Sequence, residues 1–306
     1  MSLVETPLRR PDGSIVNAMS VDVEDYFQVS AFDEIVSRAE WDTHQSRVVG
    51  NTDRLLALFA EFEVRASFFV LGWVAERHPA LVRRIAAAGH EVASHGYAHD
   101  LVYNLTPERF RADVRRARRL LEDVGGAAVE GYRAPTFSIT RQSLWALDVL
   151  AEEGYRYDAS IFPVHHDRYG IPAAPRHPYQ IVTKGGVLTE VPPSTVAWSG
   201  LNLPVAGGGY FRLLPYVWTH WGIARVNRTE QRPIVFYLHP WEVDPDQPRL
   251  PAAGLSRFRH YRNLHRTERR LRSLLGDFAF GPVRDLLDGA APLSSLSMDA
   301  LAAGHA

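Results

Sequence analysis

The chain has 306 residues, 46% of them hydrophobic and 11% aromatic, enough to bury one large core or two small ones. Lys and Arg number 34 against 35 Asp and Glu, so no basic field exists to hold nucleic acid or an anionic membrane surface. Cysteine is absent, which excludes disulfides, thiolate ligands and cysteine nucleophiles and leaves His and carboxylates to hold any metal.

The N-terminal residues 1–11 hold two arginines with no apolar run behind them, unlike a secretory signal. No stretch has the apolar length of a membrane span, and a cytoplasmic location is expected. A buried strand is predicted at residues 18–21. It runs into Asp22-Val23-Glu24-Asp25. Carboxylates behind a buried strand are costly unless paired or met by a cation, although acids are also common in turns. Apolar residues at 55, 56, 58, 59 and 62 have helical spacing. Residues 66–71 read as a strand, Pro79 opens a helix that Gly89 closes, and residues 91–94 form the next strand. That strand runs into His95-Gly96-Tyr97-Ala98-His99, whose two imidazoles a tight loop or one helical turn can aim at a common point.

Thr106, Pro107 and Glu108 carry the signature of a capped helix start. The buried stripe of that helix is Phe110, Val114, Ala117, Leu121 and Val124, and its arginines 111, 115, 116, 118 and 119 are expected to face solvent. A strand at 129–132 leads to Arg133-Ala134-Pro135-Thr136, where an arginine can grip a neighbouring carboxylate and keep it ionised. After a helix at 140–153 comes Asp158, suited to holding a histidine ring. Pro- and Gly-rich segments at 160–186 and 192–212 read as long loops of the kind that rim a groove. Strands follow at 187–191 and 234–238, the second ending at His239, whose semi-apolar neighbours suit a tuned acid. Trp198 and Trp241 lie nearest these strand ends and offer flat apolar faces to a ligand. Residues 290–306 are expected to be frayed. Strand–helix alternation argues for a parallel α/β fold. Polar residues at the C-terminal ends of the apolar segments favour a closed barrel, where such ends meet on one face.

Taken in order, these motifs resemble the polysaccharide deacetylase family, carbohydrate esterase family 4, with its NodB homology domain. The resemblance rests on Asp22-Val23-Glu24-Asp25, His95-Gly96-Tyr97-Ala98-His99, Arg133-Ala134-Pro135, Asp158-Ala159-Ser160 with Pro163, and more loosely Leu238-His239-Pro240-Trp241. It covers residues 15–245 and implies an irregular (β/α) barrel of NodB type, with seven strands expected. It implies a divalent ion held by His95, His99 and a first-motif carboxylate; zinc comes first, and cobalt or nickel would also suit N and O donors. One residue is inserted in the first motif relative to the family, so Glu24 and Asp25 both stand as ligands, while strand alternation puts Asp22 and Glu24 on one face. It further implies Asp22 as the base held by Arg133, an oxyanion donor in the backbone near Thr136, and His239, oriented by Asp158, as the acid.

The implied activity removes N-acetyl groups from an N-acetylhexosamine-containing glycan and releases acetate. A peptidoglycan deacetylase and a small-amide hydrolase of the allantoinase-like branch are the alternatives. Residues 258–271 resemble the C-terminal extension of deacetylases linked to bacterial exopolysaccharide clusters. Residues 246–289 are accordingly expected to form helices packed on the barrel, with no direct part in catalysis. The oligomeric state stays open.

Overall fold

The structure is a computed structural model that describes residue 9 and residues 13–252, 254–288 and 293–303. In its first half come β1 (Val16–Val23), α1 (Val48–Glu61), β2 (Ser67–Val70), α2 (Gly72–Arg77), α3 (Pro79–Ala87), β3 (Glu91–Ser94), α4 (Pro107–Gly125), β4 (Gly131–Tyr132), α5 (Trp145–Glu152) and β5 (Tyr157–Asp158). The second half holds β6 (Tyr179–Thr183), β7 (Gly186–Glu190), β8 (Thr195–Trp198), β9 (Leu201–Pro204), α6 (Gly208–Leu213), α7 (Tyr216–Arg225), β10 (Val235–Leu238), α8 (Gly254–Tyr261) and α9 (Leu264–Asp277). It closes with β11 (Ala279–Gly281), α10 (Val283–Asp288), β12 (Ser295–Ser297) and α11 (Met298–Ala303).

Seven strands lie side by side in parallel, in the order β10-β1-β2-β3-β4-β5-β7. β2 and β10, Ser-Phe-Phe-Val and Val-Phe-Tyr-Leu, are buried at every position, the pattern of parallel strands covered on both faces. Beyond β7 the sheet adds β6, antiparallel, and then β12. β11 pairs with the opening residues of β1, before β2 takes over at Ser20. The strand path is open between β10 and β12 among the described residues. The sheet nevertheless curls. Ser194, past the end of β7, exchanges hydrogen bonds with Val235 of β10, and Ala18, Phe69, Ala93, Tyr157, Val191 and Val235 from around the sheet share one interior cluster.

α4 buries Phe110, Val114, Ala117 and Leu121 on the predicted stripe; Thr106 Oγ1 accepts from Arg109 N, and Gly126 in the left-handed region closes the helix. Its arginine face is not simply solvated. Arg111 and Arg115 pair with Glu153, and Arg116 pairs with Glu76 of α2, so this face ties neighbouring helices together.

Several sequence expectations are corrected. The segment 192–212 holds the β8–β9 hairpin and most of α6, and 160–186 contains β6; short strands bounded by Pro and Gly are hard to separate from loops by composition. Residues 246–289 are not only helices laid on the outside. β11 enters the sheet beside β1, and Val283 and Leu286 of α10 join the interior cluster. The tail expected to fray contains β12, paired with β6, and α11; residues 290–292 and 304–306 lie outside the described residues. No helix among the described residues is long and apolar enough to cross a membrane.

Candidate active site

β1 ends with Asp22 on one face and carries the chain into Glu24 and Asp25, all three buried. The loop after β3 carries His95 and His99. It turns tightly because Gly96 and His99 both take positive φ, 74° and 54°, of which only the glycine does so without steric cost. The N-terminus of α2 braces this loop: Gly72 N donates to Gly96 O at 2.8 Å and Trp73 N to Tyr97 O at 2.9 Å. A side chain at position 72 would strike the Tyr97 ring at 2.5 Å, so the close approach needs glycine there. From the other side Asp113 of α4 accepts from Tyr97 N at 3.0 Å.

One carboxylate oxygen of Glu24 and one ring nitrogen each of His95 and His99 lie within 4.8 Å of one another, the only such grouping found among the described residues. His99 Nε2 is 2.8 Å from Glu24 Oε2, which is buried and has no hydrogen-bond donor aimed at it. His95 Nδ1 lies 2.8 Å from the carbonyl oxygen of Arg133. Its N–H is committed there, and the Nε2 lone pair remains for an ion. Burial first, then the His99 charge, pulls the His95 imidazole down to about 4, so it is neutral as a ligand must be. Burial opposes ionisation of Glu24, but the surrounding histidines outweigh it and hold the carboxyl at about 2. Two imidazole donors and a buried carboxylate, one oxygen of which has no hydrogen-bond donor, fit a divalent ion.

Asp25 is not part of this group. Its carboxylate accepts from Tyr26 N, Ser46 Oγ, Arg47 N and Val48 N at 2.8–3.1 Å and so caps the start of α1. Of the two acids that the inserted residue leaves open, Glu24 stands with the two histidines and Asp25 does not.

Arg133, fully buried at the end of β4, donates from Nη1 to Asp22 Oδ1 at 2.6 Å and to Ser20 Oγ at 2.9 Å. Its guanidinium lies 4.1 Å from the centre of the Phe69 ring. Such a pair, taken out of water, keeps its place only with further hydrogen bonds, which Ser20 and the Ala159 carbonyl supply. Thr136 follows in a turn with φ 55°, a strained conformation for a β-branched residue, and its hydroxyl donates to Ser30 Oγ at 2.9 Å.

His239, just past β10, places Nε2 3.6 Å from Glu24 Oε1 and 3.9 Å from Asp22 Oδ2. Its Nδ1 pairs with Glu242 Oε1 at 2.8 Å. The partner foreseen for this ring was Asp158, and the structure gives a different one. Asp158 accepts from Ser160 Oγ at 2.5 Å and stands in register with Glu190 of β7, where burial drives both carboxyls toward the protonated form. Burial works against a charged His239, but Glu24, the Glu242 hydrogen bond and Asp22 overcome it and raise the imidazole to about 9. Glu242 is in turn held by Arg212, whose Nε donates to its Oε2 at 2.5 Å.

Glu242, Arg212 and Glu190 were missed from sequence. Glu242 had a signal, an acid three residues beyond His239 that closes a capping box on it; Arg212 had none. Of the two tryptophans singled out, Trp241 is at the site but buried, with Nε1 donating to Glu24 Oε1 at 3.1 Å, so it holds the Glu24 carboxylate rather than offering an open face. Trp198 is half exposed on the β8–β9 hairpin against Trp221 and does not line the cavity. That cavity, about 420 Å³, opens beside the cluster between Thr136, Tyr210, Tyr237, Trp241, Arg259 and His260. A second, about 790 Å³, shares the loop from His166 to Tyr169 as lining.

Residues 32–157 match the family described as Polysaccharide deacetylase, and residues 159–288 match the Domain of unknown function (DUF3473). A chitooligosaccharide deacetylase of Rhizobium leguminosarum bv. trifolii is 35% identical over 115 residues, 37% of this chain and 49% of that protein. A peptidoglycan deacetylase of Helicobacter pylori is 31% identical over 114 residues, 37% of each chain. This chain therefore spans less than half the length of these two relatives. The crystal structure of a candidate polysaccharide deacetylase from Mycobacterium smegmatis shares the fold, with a TM-score of 0.62 at 22% identity over 94% of this chain and 96% of that one.

Proposed function

We propose that this chain, which carries a polysaccharide deacetylase domain over residues 32–157, removes N-acetyl groups from an N-acetylhexosamine-containing glycan and releases acetate. The observation that carries the reading is the convergence at one end of the sheet of three side chains placed to hold a metal, an arginine-held carboxylate and a carboxylate-held histidine. Glu24, His95 and His99 would hold the ion. Two imidazoles and one carboxylate are a donor set of catalytic zinc sites, and we take zinc as the metal. When bound, such an ion lowers the pKa of water and places positive charge beside the acetyl carbonyl oxygen.

The protein groups supply the rest. Asp22, kept ionised and aimed by Arg133, takes a proton from the attacking water. The backbone N–H at Thr136 donates to the carbonyl oxygen as it gains negative charge. His239 Nε2–H gives its proton to the amide nitrogen as the C–N bond breaks, with Glu242 holding Nδ1. Two cavities sharing one loop suit a polymer lying across the site, and bacterial exopolysaccharide is the first substrate to try.

The test is elemental analysis of the purified protein. Acetate assays follow on chito-oligosaccharides, peptidoglycan fragments and exopolysaccharide, before and after chelation and zinc return. Chelator-sensitive acetate release is expected. A fully metal-loaded protein that frees no acetate from any of them would overturn the proposal.

A further inference from the structure

We infer that the segment matching the domain of unknown function holds the proton donor in working geometry, with Arg212 as the positioning residue. The inference rests on the reading of His239 as the acid. His239, Glu242 and Arg212 all fall in residues 159–288, so the segment matching a domain of unknown function carries all three members of the donor side of the site.

Arg212 leaves α6 with its side chain 3% exposed. Nε meets Glu242 Oε2, and Nη1 meets the carbonyl oxygens of Arg259 at 2.9 Å, His260 at 2.8 Å and Arg262 at 3.2 Å. These carbonyls close α8, where the last turn of a helix leaves acceptors unpaired and favours a cation. The guanidinium is thereby fixed by one helix end while its other edge faces Glu242. The backbone of Arg212 is itself held: Asn263 Nδ2 donates to its carbonyl at 2.8 Å, and Arg270 Nη1 donates to the carbonyls of Phe211, Arg212 and Leu214 at 2.6, 3.0 and 2.9 Å. A second contact comes from α8. His260 stacks on Trp241 with centroids 4.2 Å apart, and Trp241 in turn stacks with His239 at 5.1 Å. Gln247 links His260 Nε2 at 2.7 Å to the carbonyls of Trp241 and Asp244.

This arrangement does more than fill space. A buried Arg–Glu pair is a poor way to stabilise a core compared with apolar residues of the same volume. Here the pair ends on His239 Nδ1, and the opposite nitrogen of that ring faces Asp22 and Glu24. Glu242 fixes the Nδ1–H tautomer and the ring plane; Arg212 fixes Glu242. In the step served, His239 Nε2 loses a proton to the leaving nitrogen, Glu242 stays a carboxylate, and Asp22 has gained the proton lost by water, so the proton count balances.

The experiment compares two substrates in Arg212→Gln. An N-acetylated oligosaccharide has an amine leaving group that needs the proton; 4-nitrophenyl acetate has one that departs without it. Turnover of the amide should fall roughly 10- to 100-fold, the size expected when an orienting partner is lost, with KM and metal content unchanged and the aryl ester spared. Arg212→Lys, which keeps charge without the fork, should fall between, and it carries the same test if Arg212→Gln does not fold. In metal-free protein the downfield Nδ1–H proton resonance that His239→Gln removes should also shift in the Arg212 variant. Equal loss on both substrates, or an unaffected amide, overturns the inference. Full amide turnover in His239→Gln would instead overturn the reading of the acid beneath it.

Discussion

On the ligand side of the site, Glu24, His95 and His99 come from the ends of β1 and β3, with supports close by in the fold. α2 and Asp113 brace the histidine loop, and the Arg133 carbonyl orients His95. On the donor side, His239 depends on Glu242, Glu242 on Arg212, and Arg212 on the ends of α8 and α9, some 50 residues further along the chain. The first side is a set of short loops on a rigid parallel sheet. The second is a buried relay in which each member is satisfied only if the next is present. The ligand side should therefore fail through loss of metal, and the donor side through loss of turnover with the metal still bound.

The largest expected effect is on the ligand side: His95→Ala should abolish stoichiometric metal in elemental analysis, and activity with it. Unchanged metal content would remove His95 from the ligand set. Next, His239→Ala should lower turnover by about 10²–10⁴-fold, the usual size of general acid catalysis, while metal content stays at the wild-type level. A third variant separates the neighbours Glu24 and Asp25. Asp25→Ala should keep its metal but destabilise the fold by roughly 1–3 kcal/mol, because buried N–H donors at the start of α1 lose their acceptor; denaturant titration measures it.

The smallest effect concerns the brace of the histidine loop. Burial pushes the Asp113 carboxyl up to about 6 from its ordinary 3.8. The folded chain thus binds this proton more tightly than the unfolded one, so the stabilisation is complete below the unfolded value and is lost as pH rises through about 6. Asp113→Asn keeps an acceptor for Tyr97 N and removes the titration. The change in melting temperature between pH 4 and 7 should shrink by about 2–4 °C. An identical pH profile in the variant would show that Asp113 is not strained by its burial.

How far the sequence could be read follows the same division. The strands ending at Asp22, His95, Arg133 and His239 were legible, since apolar runs with a polar residue at the C-terminal end have a period and a boundary. The histidine pair was legible because its two members are four residues apart. The choice between Glu24 and Asp25 stays open in sequence, since a one-residue insertion says nothing about where the chain turns. Asp158 was given a partner it does not have. A carboxylate near the right strand end looks the same in sequence whether it faces a histidine or, as here, a second buried carboxyl group. Trp198 was assigned to the groove on proximity in sequence, but it lies on a hairpin that leans on α7.

The order of residues by itself determined the parallel α/β class, the exclusion of thiolate chemistry, and the gathering of carboxylates and a histidine pair at strand ends, because each follows from local periodicity or from residue type. Tertiary structure alone decided that Glu24 rather than Asp25 faces the histidines, that Glu242 rather than Asp158 holds His239, and that Arg212 stands behind Glu242. Those choices depend on backbone direction after a strand end and on contacts across 30 to 50 residues of intervening chain, and side-chain chemistry at a single position carries neither.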